Sequence, residues 1–545
     1  MTVAAAVGSA LAGLGVRQVF TLLGSGNFVV TNALRSAGAS VVAARHENAV
    51  VTAADAYARV TGEVGVVTVH QGPGLTNATT GLAEAVKSRT PMLVLAADTA
   101  GASVRSNFRI DQGALAASVG AGVERLYGPD SAVADALRAY RRAVVERRPI
   151  VLNLPLDVQA APAVPGDVAL GPLPAPVRPA ASAVAALADA VARAERPVIL
   201  AGRGGRAARA GLEQLADRIG ALVATSAVAA GLFAGNPWNL GISGGFASPG
   251  AAELLADADL VLAVGASLTM WTTRHGRLVA QRATVVQVDL DADAFGANHR
   301  VDLGVAGDAA ETARDLVAEL DRRGHAAGGW RTVAVRQRIA AGQWHEQPYD
   351  DQSTADCIDP RTLTLALEEL LPADRTLAVD SGHFMGWAPM YLSIPDEQGF
   401  VFTQGFQSVG LGLATAIGAA VARPDRLTVA ALGDGGALMT LGELETVSRL
   451  GLRMLVVVYD DAAYGAEVHH FGPDGHPVDL VQFPPVDFAA FGRAAGFDAV
   501  TVRRPEDLAA VAAWVEAGSA GAFLVDAKIV PTVVAEWLEE AFRGH

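Results

Sequence analysis

The sequence predicts an α/β protein made of three doubly wound domains with mostly parallel sheets. Short apolar runs alternate with helix-like runs along most of the chain, which is the pattern of β–α–β units. Two stretches interrupt this alternation: a proline-rich stretch after Val158, and residues 321–358, which are rich in Arg, Gly, Gln and Asp. At roughly 100–200 residues per domain, a chain of 545 residues also favours about three domains.

Within each block, the expected strands are apolar runs that end at glycine or at polar residues. In the first block they follow an amphipathic helix that carries Val3, Val7, Leu11 and Leu14. The strands predicted for the first block are Val16–Leu23, Gly65–Val69, Met92–Ala97 and Ile150–Asn153. Those of the central block are Val198–Ala201, Leu260–Val264 and Val285–Val288. Those of the third block are Thr376–Val379, Thr428–Leu432, Met454–Tyr459 and Phe523–Val525, with a helix at Leu441–Leu450.

The first and third blocks share a layout of strand, glycine-rich turn, helix and apolar strand. An old duplication and the common rules of β–α–β units both explain this likeness. The prolines of the first linker are Pro162, Pro165, Pro172, Pro174, Pro176 and Pro179. The longest uncharged stretch, Gln398–Ala422, contains glutamines and several glycines, so we expect a buried loop and helix there and no membrane span.

Composition excludes several classes of protein. Hydrophobic residues make up 51% of the chain and the mean hydropathy is +0.30, so the chain is not a disordered or solvating protein. A formal net charge of −15 without runs of Lys or Arg argues against binding nucleic acid or an anionic membrane. The single cysteine, Cys357, excludes an internal disulfide and a multi-cysteine metal site, and we expect a cytoplasmic protein.

The strongest chemical signal lies in the third block. The strand Thr428–Leu432 ends in Gly433-Asp434-Gly435-Gly436, and the next strand ends in Asp460-Asp461, with Asp461 lying 27 positions after Asp434. The carboxyl ends of parallel strands lie at one edge of a sheet, where ligands bind. Glycine N–H groups at a helix start favour a phosphate, and two carboxylates beside it suit Mg²⁺. Taken alone, the glycines also fit a simple tight turn.

These residues resemble the signature of the thiamine diphosphate (ThDP) enzymes. The resemblance implies that Asp434, Asp461 and the Ala463 carbonyl bind Mg²⁺, and that Gly433, Gly435 and Gly436 contact the cofactor. The chain departs from the family pattern because Asp460-Asp461 replaces the usual pair of asparagines. A second carboxylate still suits Mg²⁺, but it is expected to add negative charge near the diphosphate.

The first block supports the same resemblance. The segment 45–49, with the sequence RHENA, and the alanine-rich helix after it resemble a family segment whose glutamate hydrogen-bonds the cofactor's pyrimidine ring. Glu47 is therefore the catalytic candidate, whereas alone it would fit an ordinary acid at a helix start. The loop at 70–77, HQGPGLTN, resembles the "SGPG-x-TN" loop of the acetolactate synthase branch. His70 is expected either to handle a proton or to be a structural histidine, and Asn77 to cap the following helix.

Further family segments imply other contacts. Val409 occupies the place of the bulky residue that bends the cofactor, and the Gln407 carbonyl would accept from its amino group. Tyr464 follows the metal ligands, and Glu467 lies where pyruvate decarboxylase-like enzymes place a proton-donating glutamate. The candidates for contact with substrate are Ser25, His383, His469 and His470, of which the three histidines also fit solvated loop positions.

The resemblance is to the acetolactate synthase and 2-oxo acid decarboxylase-like branch. It implies pyrimidine-binding, central and diphosphate-binding domains, which we assign to residues 1–160, 180–322 and 355–535. It implies an enzyme that forms an enamine from a 2-oxo acid with ThDP and Mg²⁺, by decarboxylation, carboligation or both. FAD is not expected to bind, because residues 268–274 read LTMWTTR where acetolactate synthases show RFDDR. The alternative function is a non-catalytic ThDP-like subunit or metabolite-binding module.

The resemblance also implies an assembly. In the family, the pyrimidine-binding domain of one subunit faces the diphosphate-binding domain of another. A homodimer or homotetramer with active sites between subunits is therefore expected, with no nucleic acid and no membrane as partners.

Overall fold

The computed structural model describes residues 1–164 and 169–541, and these residues form three six-stranded parallel sheets flanked by helices. The predicted fold of three doubly wound α/β domains is confirmed. Of the linker prolines, Pro165 lies outside the described residues. In the described part of the chain, we find no helix with the length and apolar character needed to cross a membrane.

Each sheet is built from six strands that follow one another in the chain. The first sheet contains β1 (Gln18–Thr21), β2 (Ser40–Ala43), β3 (Gly65–Val69), β4 (Met92–Asp98), β5 (Gly122–Arg125) and β6 (Pro149–Pro155). The central sheet contains β7 (Pro197–Ala201), β8 (Leu222–Thr225), β9 (Asn239–Ile242), β10 (Leu260–Val264), β11 (Thr284–Asp289) and β12 (Leu303–Ala306). The third sheet contains β13 (Arg375–Val379), β14 (Phe400–Phe402), β15 (Leu427–Gly433), β16 (Met454–Asp460), β17 (Asp498–Val502) and β18 (Ala522–Lys528).

The α-helices of the first domain are α1 (Val3–Gly13), α2 (Phe28–Ser36), α3 (Glu47–Thr61), α4 (Pro73–Asn77), α5 (Thr79–Lys87), α6 (Gln112–Ser118), α7 (Ala132–Glu146) and α8 (Leu156–Ala160). Around the central sheet lie α9 (Ala181–Ala192), α10 (Arg209–Ile219), α11 (Pro249–Ala256), α12 (Met270–Thr273), α13 (Ala309–Arg322) and α14 (Val333–Ala341). The third domain has α15 (Pro360–Leu370), α16 (Trp387–Tyr391), α17 (Gly412–Ala422), α18 (Asp434–Met439), α19 (Glu443–Arg449), α20 (Gly465–Phe471), α21 (Phe488–Ala494), α22 (Ala509–Glu516) and α23 (Glu536–Ala541).

Each sheet has a reversal of strand order away from its edges. The first sheet runs β2-β1-β3-β4-β6-β5 and the third runs β14-β13-β15-β16-β18-β17, so the two orders are the same. The central sheet runs β12-β11-β10-β7-β8-β9. The order reverses between β1 and β3, between β7 and β10, and between β13 and β15. Open α/β sheets bind ligands at such points, outside the carboxyl ends of the strands.

The first and third domains pack directly against each other. Helix α3 of the first domain lies on α17 of the third, and both are lined with alanine and valine. The approach is so close that a Cβ added at Gly418 would lie 2.0 Å from the Ala53 carbonyl oxygen. Beside these helices, Arg59 Nη2 lies 2.5 Å from Asp55 and 2.8 Å from Glu84, and Arg59 Nη1 donates to the Phe402 carbonyl. The interface therefore combines a small-residue contact with a buried charge cluster.

Several local expectations differ from the structure. The second linker contains helix α14, which was not predicted because residues 321–358 are polar in composition. Helix α19 is shorter than the predicted Leu441–Leu450, because residues 440–443 form a separate turn in which the Glu443 N–H donates to the Thr440 carbonyl. The longest uncharged stretch forms β14, a loop and α17, with α17 buried between sheet and α3. Strands β2, β5, β8, β9, β12, β14 and β17 were not predicted. Five of them are partly exposed and lack a long apolar run, whereas β8 and β14 are buried but have only four and three residues.

Candidate active site

The third sheet places Asp380 at its point of reversal. Asp380 follows β13, is fully buried, and its Oδ1 accepts hydrogen bonds from the Ser381 N–H at 2.8 Å and the Gly410 N–H at 3.0 Å. Burial raises the pKa of the Asp380 carboxyl to about 6. A Cβ added at Gly436 would lie 2.3 Å from Asp380 Oδ2. Asp380 therefore fixes both the backbone beside Val409 and the glycine turn after β15.

Two carboxylates lie at the ends of the neighbouring strands. Asp434 is the first residue of α18, after β15, and Asp461 follows β16. Burial, and after it the charges of Asp461 and Asp460, raise the pKa of the Asp434 carboxyl to about 8. Burial also raises the pKa of the Asp461 carboxyl to about 7. A pair of buried carboxylates in this state favours a cation between them, and oxygen ligands of this kind suit Mg²⁺.

The neighbouring Asp460 has a cationic partner. Lys528 Nζ forms an ion pair with Asp460, lies 2.9 Å from Asp526 Oδ1, and is the register partner of Asp460 on strand β18. Of the two carboxylates that replace the usual asparagines, Asp460 is therefore compensated by Lys528, and the added negative charge expected near the diphosphate is that of Asp461. Asp460 Oδ1 also accepts the Ala462 N–H at 3.0 Å, which holds the turn that carries Asp461.

One cavity of about 430 Å³ unites most of the third-block candidates. Its glycine side is tight, since a Cβ added at Gly435 would lie 2.5 Å from Tyr464 Cε1. Glu467 lies on helix α20, and Trp271 of the central domain closes another side. The candidates that line it are Gln407, Val409, Gly433, Asp434, Gly435, Gly436, Asp461, Ala463, Tyr464, Glu467 and His383.

The histidines differ from their expected setting. His383 begins a short 3₁₀ helix and is 5% exposed, while His469 and His470 lie on α20, so none occupies a solvated loop. His383 Nε2 accepts the Ala535 N–H at 3.0 Å, and its ring centre lies 4.5 Å from that of His469. Burial lowers the pKa of the His383 imidazole to about 3, so this ring is neutral. His469 and His470 are not among the residues that line the cavity.

The first sheet holds a second group of candidates at its own reversal. Glu47 is 8% exposed, and its Oε2 accepts a hydrogen bond from Asn77 Nδ2 at 3.0 Å. Asn77 was expected to cap the next helix, but α5 begins after Ala78 and has no side-chain cap. His70 Nδ1 accepts the Gly26 N–H at 3.1 Å, and burial lowers the His70 pKa despite the nearby Glu47 charge. Ser25, next to Gly26, is exposed.

The two groups do not line the same cavity within one chain. Glu47, His70 and Ser25 are not among the residues that line the cavity beside Asp434. Exposed apolar side chains surround both groups: Phe28 and Phe108 lie near the first, and Met439 and Tyr464 near the second. Each group therefore presents apolar surface that a further protein surface can cover.

Sequence reasoning gave no function to several residues of the site. Asp380 carried no predicted role, and Trp271 was part of a segment noted only because it lacks a flavin pattern. The contact of Lys528 with Asp460 could have been predicted. Lys528 ends β18, the strand that pairs with β16, and Asp460 ends β16, so both lie at the same edge of the sheet. Trp537 lies beyond the predicted end of the third domain, yet it lines the cavity.

Comparison with known proteins agrees with this arrangement. Residues 1–117 match the family described as thiamine pyrophosphate enzyme, N-terminal TPP binding domain. Residues 184–316 match its central domain, and residues 380–527 its C-terminal TPP binding domain.

Whole-chain relatives carry different names. A protein of Pseudomonas aeruginosa named "Probable 2-ketoarginine decarboxylase" is 32% identical over 510 residues, which cover 91% of this chain and 88% of the relative. The acetolactate synthase large subunit of Parasynechococcus marenigrum is 30% identical, over 93% of this chain and 85% of its own length. A sulfoacetaldehyde acetyltransferase of Castellaniella defragrans is 29% identical, over 91% of this chain and 87% of its own length.

Proposed function

This chain belongs to the thiamine pyrophosphate enzyme family, and from this we propose that it is a ThDP- and Mg²⁺-dependent enzyme acting on a 2-oxo acid. The reaction is decarboxylation, carboligation or both. The observation that carries the proposal is one cavity in which the carboxylates of Asp434 and Asp461 lie with Glu467. Relatives named as a decarboxylase, a synthase and an acetyltransferase agree with this class of chemistry.

The residues present fit the cofactor and its metal. The close packing at Gly435 and Gly436 leaves no room for a side chain, so that backbone can approach a diphosphate. The carboxylates of Asp434, which is buried, and Asp461, which is partly buried, provide with the Ala463 carbonyl hard oxygen ligands for Mg²⁺. Gln407 has a left-handed backbone with φ of 61°, which fixes the direction of its carbonyl beside Val409. When bound, ThDP supplies an electron sink for the carbon that loses carbon dioxide.

Glu47 supplies the carboxyl that activates the cofactor. Its Oε2 is held by Asn77, so its other oxygen is available to hydrogen-bond a pyrimidine ring nitrogen. Burial of Glu47 among helix α3 and the 70–77 loop excludes bulk water from that contact. We assign proton transfer on the substrate side to Glu467 and His70.

His70 has one usable nitrogen for this role. Its Nδ1 accepts the Gly26 N–H, so the neutral ring carries its proton on Nε2. The lowered His70 pKa favours the neutral form at physiological pH. His383 is also neutral, because burial lowers the pKa of its imidazole. Its Nδ1 is buried without a partner among the described residues. His383 therefore offers the substrate a hydrogen bond and not a positive charge.

The complete site needs a second subunit in this proposal. Glu47 lies outside the cavity beside Asp434, and apolar side chains near both groups are exposed. A homodimer, alone or paired into a tetramer, would bring Glu47 of one subunit to Asp434 of the other. The domain limits of 1–160, 180–322 and 355–535 and the absence of FAD belong to the same proposal. A cytoplasmic location is proposed from the single cysteine.

Product analysis tests the proposed function. The protein, supplied with ThDP and Mg²⁺, is incubated with pyruvate, benzoylformate and branched 2-oxo acids, and carbon dioxide, aldehydes and acyloins are measured. Release of carbon dioxide that the Glu47→Gln variant lacks would support the proposal. Tight binding of ThDP without turnover of any 2-oxo acid would contradict it and favour a non-catalytic subunit.

A further inference from the structure

A second cavity, of about 640 Å³, opens beside the candidate active site. It lies at the carboxyl edge of the central sheet, where the strand order reverses between β7 and β10. The wall it shares with the active-site cavity consists of Trp271, Met385, Gln404, Gln407 and Trp537. The two cavities are therefore adjacent, and a molecule bound in the first can extend into the second.

The second cavity is rich in cationic side chains. Lys87, Arg89, Arg147 and Arg203 line it, against one carboxylate, Asp289. Arg89 forms an ion pair with Asp291 at 2.6 Å, so its charge is already compensated. Lys87 Nζ lies 5.9 Å from the centre of the Phe406 ring and, within the described residues, has no carboxylate partner. In the part of the chain that the structure describes, Lys87, Arg147 and Arg203 line this cavity without an ion pair to a carboxylate, so we treat these three as the cations available to a ligand.

The charge of Arg203 is only partly compensated. Its Nη1 is buried and has no hydrogen-bond partner among the described residues. The nearest carboxylates, Asp55 and Glu84, are already bound by Arg59 at 2.5 and 2.8 Å. Burial and the Arg59 charge lower the Arg203 pKa to about 9, which means that its positive charge lacks an adequate counter-charge.

Three glycine N–H groups at this edge of the central sheet are bonded within the protein. The Gly202 N–H donates to the Val264 carbonyl, the Gly204 N–H to the Gly265 carbonyl, and the Gly265 N–H to the Val288 carbonyl. Because these three N–H groups are used within the protein, we look to the side-chain cations for anion binding. The shared wall adds a free donor, since Gln404 Nε2 is buried without a partner in the described chain.

Resting on the proposed function, we propose that the 2-oxo acid of this enzyme is elongated and ends in a second anionic group. Its oxo-acid end lies in the cavity of Asp434 and Glu467, its chain passes Trp271 and Trp537, and its far anion binds Arg203, Lys87 and Arg147. Cavities of a few hundred Å³ hold ligands much larger than pyruvate, so the second cavity gives a long chain enough room.

Matched substrates test this inference on the enzyme loaded with ThDP and Mg²⁺. 2-Oxohexanoate is compared with 2-oxohexanedioate, and 2-oxooctanoate with 2-oxooctanedioate, by release of carbon dioxide. We expect kcat/KM to be about tenfold or more higher for the dioate at one or both lengths, because a hydrogen-bonded charge pair strengthens binding by that order. A preference for the monocarboxylate at both lengths would overturn the inference while leaving the proposed function intact.

Variants locate the effect. Arg203→Met, Lys87→Met and Arg147→Gln should each lower the dioate-to-monocarboxylate ratio, whereas a purely structural loss would lower both rates together. The matched control is Arg141→Gln. Arg141 lies on helix α7, which ends immediately before Arg147, and its Nη2 donates to the Pro172 carbonyl on the surface. If Arg203→Met fails to fold, the Lys87→Met and Arg147→Gln variants test the inference. An unchanged dioate-to-monocarboxylate ratio in the folded variants would overturn the proposed anion site.

Binding measurements distinguish an anionic substrate from an anionic cofactor as the ligand of the second cavity. Calorimetry is run with suberate and octanoate on the same protein, and with FAD and ADP. Preferential binding of suberate that Lys87→Met weakens supports the anion site even if no 2-oxo acid is turned over, an outcome that would remove the proposed function alone. FAD or ADP that binds tightly and excludes suberate would assign the cavity to a separate anionic cofactor and overturn the inference.

Discussion

Asn77 donates a hydrogen bond from Nδ2 to Glu47 Oε2 at 3.0 Å and joins the 70–77 loop to the start of helix α3. The sequence predicted a helix cap for Asn77, but its amide instead orients the candidate catalytic carboxyl. A carboxyl held at one oxygen presents the other in a defined direction, and orientation of this kind is part of acid–base catalysis.

The first prediction concerns this pair. Glu47→Gln should slow exchange of the cofactor C2 proton by about 10²–10⁴-fold, because it removes one positioned acid–base group. Asn77→Ala should slow it less, since Glu47 keeps its carboxyl but loses its anchor. The measurement is proton exchange of added ThDP followed by NMR. Asn32→Ala is the control, because Asn32 Nδ2 donates to the Phe28 carbonyl in an exposed hydrogen bond on helix α2. Wild-type exchange in Glu47→Gln would remove its activating role.

The second prediction concerns the metal site. Asp434→Asn should abolish Mg²⁺-dependent retention of ThDP, because it removes one of two buried carboxylates that the cation needs. In the cofactor-free protein, the same change should not lower Tm, since burial already penalises the charged form of Asp434. Calorimetry with ThDP and Mg²⁺ measures the first effect, and thermal unfolding the second. Unchanged ThDP affinity would contradict the metal assignment.

The third prediction concerns the interface of the first and third domains. Arg59→Met leaves Asp55 and Glu84 buried without their cation, and loss of one partner in a buried pair costs about 3–5 kcal/mol. Tm should fall clearly in thermal unfolding. Arg178→Met, which breaks an exposed pair with Asp315, is the control and should leave Tm unchanged. Equal Tm values for the two variants would show that the buried cluster is not stabilising.

The sequence predicted the parts of the fold that rest on continuous apolar runs. Strands β3 and β10 lie at the predicted bounds because parallel strands buried on both faces read as unbroken apolar segments. Strands such as β5 and β17 are partly exposed and mix apolar with charged residues, so no such run marks them.

The candidate site shows a similar division. Residues carried by local motifs, such as Asp434 and Asp461, come together in the cavity. Contacts between distant segments were not predictable, because spacing carries no information about them. Lys528 compensates Asp460 only through the pairing of β16 with β18, and Trp537 reaches the cavity only through the course of the chain after β18.

The fourth prediction concerns Glu467. Glu467→Gln keeps the size of the side chain but removes its proton, so aldehyde release should slow, by about 10²–10⁴-fold if Glu467 is the donor. Carboligation should gain relative to release, because the reacting carbon then waits longer for an acceptor. The aldehyde-to-acyloin ratio from pyruvate measures the change. If turnover and ratio both stay at wild-type values, Glu467 has no part in proton transfer.

The fifth prediction tests whether the site is shared between subunits. Glu47→Gln and Asp434→Asn subunits are each expected to be inactive alone. In a mixed dimer, one site receives both substitutions and the other receives Glu47 and Asp434 unchanged. Random mixing after reversible dissociation should therefore restore about a quarter of wild-type activity, because half of the dimers are mixed and each has one intact site.

The control for this mixing experiment is a pair that cannot complement. Mixing Asp434→Asn with Asp461→Asn should restore nothing, because both residues belong to the same chain's cavity and no site then escapes substitution. Recovery in the first mixture alone would support a site built from two subunits. If the first mixture also stays inactive, while size-exclusion chromatography with differently tagged subunits shows that mixed dimers form, Glu47 and Asp434 do not meet across an interface, and the dimer proposal is wrong.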